Sequence, residues 1–171
     1  MMHGDMDPTD QPPRRLGCLV FVLNEGDEVL MVKPKYKHAG KRLGWQLPGG
    51  NAHEGEDIAA AAARELLEET GLRRPISHYL CTDQVPESEE GTSTEGINFV
   101  CDGGQLSVAE AAAVTLPDAA RDELAALTWV PLSRLHQFAF PYQARRIRNA
   151  AKARAWGLKQ PLYVLGEAAT A

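Results

Sequence analysis

The segment Gly50–Leu72, GNAHEGEDIAAAAARELLEETGL, decides how the rest of the chain is read. Its centre, Asp57 to Thr70, predicts a helix, because the five consecutive alanines Ala59 to Ala63 have the highest helix propensity of any residue. Glu56 and Asp57 suit the positive N-terminal end of the helix dipole, and Gly71 followed by Pro75 supplies a stop. At about 100° per residue, Glu65, Glu68 and Glu69 share an arc of roughly 100°. Ile58, Ala59, Ala62 and Leu66 lie beside that arc, so the glutamates border the buried face. Like charges at i,i+3 and i,i+4 destabilise a helix by about 0.2–0.5 kcal/mol each. Anions in the last turns also oppose the dipole. Only Arg64 and Arg73 are near enough in sequence to offset them. Two readings account for the cluster. One is a charged face that is simply solvated. The other is a hard divalent cation, which takes oxygen ligands and needs only one or two carboxylates beside substrate phosphates.

Upstream, Cys18 to Leu23 is an apolar run suited to a buried strand, Asn24 to Asp27 breaks it, and Val29 to Val32 follows as a hairpin partner. Lys33 to Arg42 is a basic, Gly-containing loop, and Trp45-Gln46-Leu47 reads as a strand ended by Pro48-Gly49-Gly50. Downstream, Ile76 to Gln84 and Ile97 to Cys101 read as strands, with a turn at Asp102-Gly103-Gly104 and a short helix over Val108 to Ala113. Leu127 to Val130 is a strand ended by Pro131, after which Ser133 caps a short helix. Pro141 to Trp156 spaces Ala144, Ile147, Ala151 and Ala155 as one apolar helix face. Strands interleaved with helices predict an α/β chain, with a mixed sheet covered on both faces. Residues 1–14 read as a flexible N-terminal arm, 15–166 as a single domain and 167–171 as a tail.

Composition agrees. At 171 residues, with 44% apolar and 24% charged residues, the chain has material for one core. A mean hydropathy of −0.30 and the lack of a long apolar run exclude a helical membrane span. The three cysteines, Cys18, Cys81 and Cys101, sit singly in apolar runs and read as reduced core thiols of a cytoplasmic protein. A net charge of −5 and a pI of about 5.5 argue against long nucleic acids as partners.

Taken whole, Gly50, Glu56, Arg64, Glu65, Leu66, Glu68, Glu69, Gly71 and Leu72 satisfy every defined position of G-x5-E-x7-R-E-U-x-E-E-x-G-U, where U is aliphatic. The segment resembles the Nudix box, and the flanks Trp45 to Gly50 and Leu127 to Leu132 resemble the strands that accompany it in that family. The resemblance implies the Nudix fold, an α/β/α sandwich with a mixed β-sheet. It implies hydrolysis of a nucleoside diphosphate linked to another moiety, or of a nucleoside triphosphate, by attack of water on phosphorus. It also implies Mg²⁺ or Mn²⁺ held by Glu65, Glu68 and Glu69, with the Gly50 carbonyl and Glu56 as further members of the metal site. Arg64 would orient a glutamate through a charge-assisted hydrogen bond. The general base stays open among the box glutamates, Glu95 and Glu123, the last resembling a position that often carries an additional acid.

Around this centre, Lys35, Lys37 and Arg42 of the basic loop either draw a polyphosphate inward or form a solvated surface, and Glu95 is either an acid at the substrate or a solvated acid of its loop. Trp45 and Trp129 are placed in the core rather than against a base. Pro86 stands 14 residues beyond Leu72, one short of the proline carried by some ADP-ribose hydrolases, and Ser88, Glu89 and Glu90 occupy the place of the tyrosine of dinucleoside-polyphosphate members. ADP-ribose is thus the leading single substrate. The alternative function is a non-catalytic nucleotide sensor, against which the retained glutamates argue. Relatives are often dimers, so a homodimer is allowed, although no apolar stripe in the sequence marks an interface.

Overall fold

The computed structural model describes residues 13–35, 42–89 and 93–169. Local signals build the first hairpin. Strand β1 (Arg15–Asn24) turns through Asn24–Asp27, where the Asn24 carboxamide accepts from the Gly26 and Glu28 amides, into the antiparallel strand β2 (Glu28–Pro34). Strand β3 (Gly49–Asn51) lies against the start of β1, and helix α1 (Ile58–Thr70) follows. The ends of α1 are those expected: the Asp57 side chain accepts from the Ala60 amide, and Gly71 is left-handed at φ 73° with its N–H on the Leu67 carbonyl. Strands β4 (His78–Val85) and β5 (Gly96–Leu106) form an antiparallel pair, and β5 runs parallel to β1. Helix α2 (Val108–Ala113), strand β6 (Leu124–Pro131), helix α3 (Pro141–Ala155) and three two-residue strands, β7 (Gln160–Pro161), β8 (Tyr163–Val164) and β9 (Glu167–Ala168), complete the order.

The main sheet runs β6-β2-β1-β5-β4-β7, with β3 also on β1. It is mixed, β1–β5 being parallel and the other described pairs antiparallel. Alternation along β1 divides the core. Cys18, Val20 and Val22 pack with Ala59, Ala62 and Leu66 of α1. Phe21 and Leu23 pack with Ala144, Ile147 and Ala150 of α3 on the other face. Two helical layers over one mixed sheet make the α/β/α sandwich. Arg146 of α3 reaches Asp83 of β4 at 2.6 Å, and Arg154 binds Asp102 of β5, so ion pairs as well as apolar contacts dock this helix.

Several local expectations are corrected. Asp102-Gly103-Gly104 is not a turn but a bulge inside β5, where the pairing shifts from Phe21↔Asp102 to Leu23↔Gln105. Gly104 takes φ 80°, and a side chain at Gly103 would run into Val20 and Val22, so glycines here let the extra residue pass. Trp45-Gln46-Leu47 is not a strand; Gln46 alone exchanges both backbone hydrogen bonds with Val32, between Gly44 and Pro48. The strand expected from Ile76 begins at His78. Ser133 does not cap: a short 3-10 helix spans Leu132–Gln137 directly after Pro131, without a side-chain cap. On α3, Gln143, Ala144, Ile147 and Ala150 form the buried face, while Ala155 is exposed. Trp45 and Trp129 are half-buried against the core, as expected. Cys18 and Cys101 are buried free thiols, whereas Cys81 is only half-buried.

The boundary drawn at 166/167 falls within the β8–β9 hairpin. Where the sequence showed no apolar stripe, the structure leaves Trp156, Leu158, Tyr163, Val164 and Leu165 exposed. Among the described residues no helix is long and apolar enough to cross a membrane.

Candidate active site

The glutamates are positioned from three directions. Asp57 and Gly71 fix where α1 starts and stops, so Glu65, Glu68 and Glu69 fall on its edge toward β3 and not toward the core. Strand β3 approaches that edge closely because its first two residues lack side chains. Gly49 has φ 139°, and a Cβ there would run into the Cys18 carbonyl and lie 2.7 Å from Leu19 Cα. A Cβ on Gly50 would lie 2.6 Å from Glu65 Cδ. The third direction is the 3-10 helix Asp118–Asp122, whose C-cap residue Glu123 joins Glu65, Glu68 and Glu69 around one small pocket.

Arg64 organises the cluster from behind. Its Nε and Nη2 each donate at 2.8 Å to the two oxygens of Glu56, and its Nη1 donates to Glu65 Oε1 at 2.7 Å and Glu68 Oε2 at 3.2 Å. Nη2 also reaches the Asn51 carbonyl at 3.3 Å. One planar cation thus restrains three carboxylates, which a lysine could not do in this geometry. The Arg64 hydrogen bonds, aided by the His53 amide, hold Glu56 well below the usual carboxylate range, at about 2. Both Glu56 oxygens are therefore already engaged.

Glu69 is in the opposite situation. Burial, with the nearby charges of Glu65, Glu123 and Glu68, pushes its carboxyl up to about 8, against the lowering effect of one hydrogen bond from the Gly49 amide. That bond, 2.8 Å to Oε2, leaves Oε1 without a partner among the described residues. Like-charged carboxylates gathered in a half-buried space favour whatever brings positive charge. The donors are all oxygens, the set that hard cations such as Mg²⁺ take. Among the described residues no three His, Cys, Asp or Glu side chains are placed so that they alone could hold a metal ion. An open set of this kind fits an ion that shares its shell with water and phosphate.

A cleft of about 690 Å³ begins at Gly50, Glu65, Glu69 and Glu123 and extends across the sheet to α3. The structure therefore brings together Gly50, Glu65, Glu69 and Glu123 there, with Glu68 and Arg64 at the edge and Glu56 behind. Other expected residues lie apart. Glu95 is paired with Arg14 at 2.6 Å and with Gln84, and does not line the cleft. Lys35 is exposed; its ammonium donates to the Arg121 carbonyl and its amide to the Glu123 carbonyl at 2.8 Å, so it braces the segment that presents Glu123. Arg42 is exposed and off the cleft. Lys37 lies outside the described residues. The sequence reading passed over Asn98, Gln143, Tyr142 and Arg146, all of which line the cleft. For Asn98 a signal existed: strand alternation puts it on the face of Val100, opposite Ile97 and Phe99.

Comparison with known proteins accords with this geometry. The profile of the NUDIX domain matches residues 13–150. A protein of Bacillus subtilis (strain 168) named a putative 8-oxo-dGTP diphosphatase is 32% identical over 133 residues, covering 78% of this chain and 77% of that one. The MutT protein from Methanosarcina mazei Go1 superposes with a TM-score of 0.65 at 21% identity, covering 86% of this chain and 98% of that one. The NUDIX domain of Shewanella oneidensis NrtR, solved as a complex with ADP ribose, gives a TM-score of 0.64 at 22% identity, covering 89% and 98%. With the domain matched over most of its length and the acid-lined cleft in place, the chain belongs to the Nudix hydrolase family.

Proposed function

We propose that this protein is a divalent-metal-dependent pyrophosphohydrolase of a nucleoside diphosphate derivative or a nucleoside triphosphate. The observation that carries the reading is the convergence of Glu65, Glu69, Glu123 and the Gly50 backbone at one end of a cleft large enough for a nucleotide. Glu65, Glu68 and Glu69 would hold Mg²⁺ or Mn²⁺, with the Gly50 carbonyl and Glu123 as further oxygen ligands. When bound, the cation neutralises the phosphate oxygens and so lowers the charge barrier to attack.

The protein's own groups supply the rest. Arg64, fixed by Glu56, holds Glu65 in place. Glu69 accepts the proton of the attacking water on Oε1, while Oε2, which takes the Gly49 amide, is the oxygen it would turn to the metal. Water adds to phosphorus as the bridging P–O bond breaks, and the leaving phosphate departs down the cleft. The basic stretch from Lys33 to Arg42 would draw the polyphosphate in, with Lys35 also bracing the Glu123 segment.

The relatives supply two substrate types, 8-oxo-dGTP by sequence and ADP-ribose by the bound neighbour; the position of Pro86 inclines us to ADP-ribose. Incubation with nucleotide sugars, dinucleotides and triphosphates in the presence of Mg²⁺ or Mn²⁺, with products identified by mass, tests the proposal. Cleavage of a pyrophosphate linkage that stops on chelation is the expected result. Nucleotide binding without cleavage across the panel would make the protein a sensor instead.

A further inference from the structure

Charge is divided unevenly along the chain. Residues 141–171 carry six cations and one acid, Glu167, a balance of 6 − 1 = +5, against −10 for the 140 residues before them. Some of that positive charge is structural. Arg146 is held by Asp83 at 2.6 Å, Arg154 is held by Asp102, and Lys159 lies 3.8 Å from the same Asp102. Arg145, Arg148 and Lys152 are different: they are exposed and pair with no acid among the described residues. At about 100° per residue they fall, with the C-cap residue Trp156, inside an arc of roughly 80°. That arc lies on the side of α3 away from Ala144, Ile147 and Ala150. A stripe of unmatched cations thus runs along the outer face of a helix about 22 Å long and ends at a tryptophan.

The stripe leads to an apolar end of the molecule. Trp156 and Leu158 are 70% and 55% exposed. Asp102, which holds the end of α3, follows Cys101, the partner of Tyr79 at the start of β4. Strand β7 pairs with His78 and Tyr79, and the Leu162 amide on the Ser77 carbonyl carries the chain into the β8–β9 hairpin, so hairpin and helix end share one end of the sheet. The hairpin turns through Leu165 and Gly166, at φ 51° and 82°. Asn, Asp or Gly ordinarily fill the first of these positions, because a larger side chain is strained there. Leu165 takes it with its side chain fully exposed beside Tyr163 and Val164, so the fold gains no burial in return.

An occupant has to accept both the cations and the apolar side chains. A second copy related by a twofold axis would set the three cations against their own equals. A single-stranded nucleic acid would take the cations and stack on Trp156, but offers nothing to Leu158, Val164 and Leu165. The interface of an anionic bilayer takes all of them, with lipid phosphates for the cations and the acyl boundary for tryptophan, tyrosine and leucine.

We propose that the outer face of α3, with Trp156, Leu158 and the β8–β9 hairpin, seats the protein on an anionic phospholipid surface. Arg145, Arg148 and Lys152 lie on the headgroups, and Trp156 and Leu165 reach the acyl boundary. The protein rests on the bilayer and does not cross it. This attachment is independent of the proposed hydrolysis.

The test uses the full chain and vesicles of phosphatidylcholine, alone or mixed in equal parts with phosphatidylserine, with binding read by co-sedimentation at low and high salt. Binding to the mixed vesicles that weakens with salt is expected, with much less on phosphatidylcholine alone. The triple variant Arg145→Gln, Arg148→Gln, Lys152→Gln should lower the partition coefficient about a hundredfold, at about fivefold per cation. Leu165→Asn puts in a residue that the turn prefers, so it should keep or raise the melting temperature while lowering partition by about tenfold. That combination separates a lost contact from a damaged fold. Equal binding to both kinds of vesicle, or equal partition of wild type and triple variant, overturns the proposal. A wild type that ignores the mixed vesicles but dimerises, or binds a single-stranded RNA oligonucleotide, through these residues also overturns it. None of these results bears on the hydrolysis, which is scored on free nucleotides.

Discussion

Replacing Gly50 with alanine perturbs the acidic end of the cleft through one methyl group. The new Cβ would run into Glu65 Oε1 and lie 2.6 Å from Cδ and 2.8 Å from Oε2. Comfortable contacts between such atoms begin near 3.5 Å, so the carboxylate has to retreat by about 0.9 Å or more. Glu65 Oε1 accepts from Arg64 Nη1 at 2.7 Å, and a retreat of that size takes the pair to the limit of a hydrogen bond. A charge-assisted bond is worth about 1.5–3 kcal/mol. Glu65 and Arg64 are 15% and 22% exposed, and Arg64 retains Glu56, so about 1–2 kcal/mol is the appropriate cost. At ~2–4 °C per kcal/mol for a chain of this size, the melting temperature should drop by about 2–8 °C. Activity should suffer more, because a displacement near 1 Å can cost about 100-fold. The assay is a double-mutant cycle: thermal melts of Gly50→Ala, Glu65→Ala and the double variant, with turnover measured for Gly50→Ala. Once Glu65 is truncated the three atoms nearest the methyl are gone, so Gly50→Ala should then cost less than about 0.5 kcal/mol. Equal costs in the two backgrounds, or wild-type turnover in the single variant, would refute the reasoning.

Two other perturbations follow from the same site. Glu69→Gln should lower turnover by orders of magnitude without unfolding the protein, and it carries a pH signature. Because the folded-state pKa of Glu69 is raised to about 8, the folded state holds that proton more tightly than the unfolded chain. Metal-free protein should therefore be most favoured by this group at low pH and lose its contribution as pH rises from about 4.5 to about 8. Melts in chelator should show the decline, divalent metal should offset it, and Glu69→Gln should flatten it; equal slopes in wild type and variant would remove Glu69 as its source. Gly49→Ala combines an unfavourable φ of 139° with overlap on the β1 backbone, and should cost about 3 kcal/mol or more, read as reduced soluble yield and a lower melting temperature. A stable Gly49→Ala variant would show that β3 can shift, contrary to the close approach described.

Helix α1 and its acids were legible in the sequence because their determinants are local: Asp57, the alanines and Gly71 act within one helix length. The β1–β2 hairpin was legible for the same reason. What failed was read locally but decided elsewhere. Asp102-Gly103-Gly104 has the composition of a turn, yet the parallel neighbour β1, far away in sequence, holds it extended and absorbs the extra residue as a bulge. Trp45–Leu47 looks like a strand, but between Gly44 and Pro48 Gln46 makes a single β-bridge to Val32, while the Trp45 amide turns to the Phe138 carbonyl. In the site, the spacing of the box places Glu65, Glu68 and Glu69, while the arrival of Glu123 depends on how the segment before β6 packs on α1. Lys35 illustrates the reverse: its charge suggests a phosphate partner, and the fold gives it a backbone carbonyl.

The parallel pairing of β1 with β5 also bears on how the protein comes into being. Arg15 and Gly96 are partners across 96 − 15 = 81 positions, so the middle of the sheet closes a long loop before it gains any contacts. Hairpin β1–β2 and helix α1 can form within that loop on their own timescale, but the β1 edge stays open until β5 arrives. Such non-local closure slows folding and leaves an unpaired edge exposed while it is pending. On a ribosome, a nascent chain that has released the whole glutamate-rich helix would still lack both the strand that completes the sheet and Glu123. Completion of the acidic cleft therefore waits on the last third of the chain.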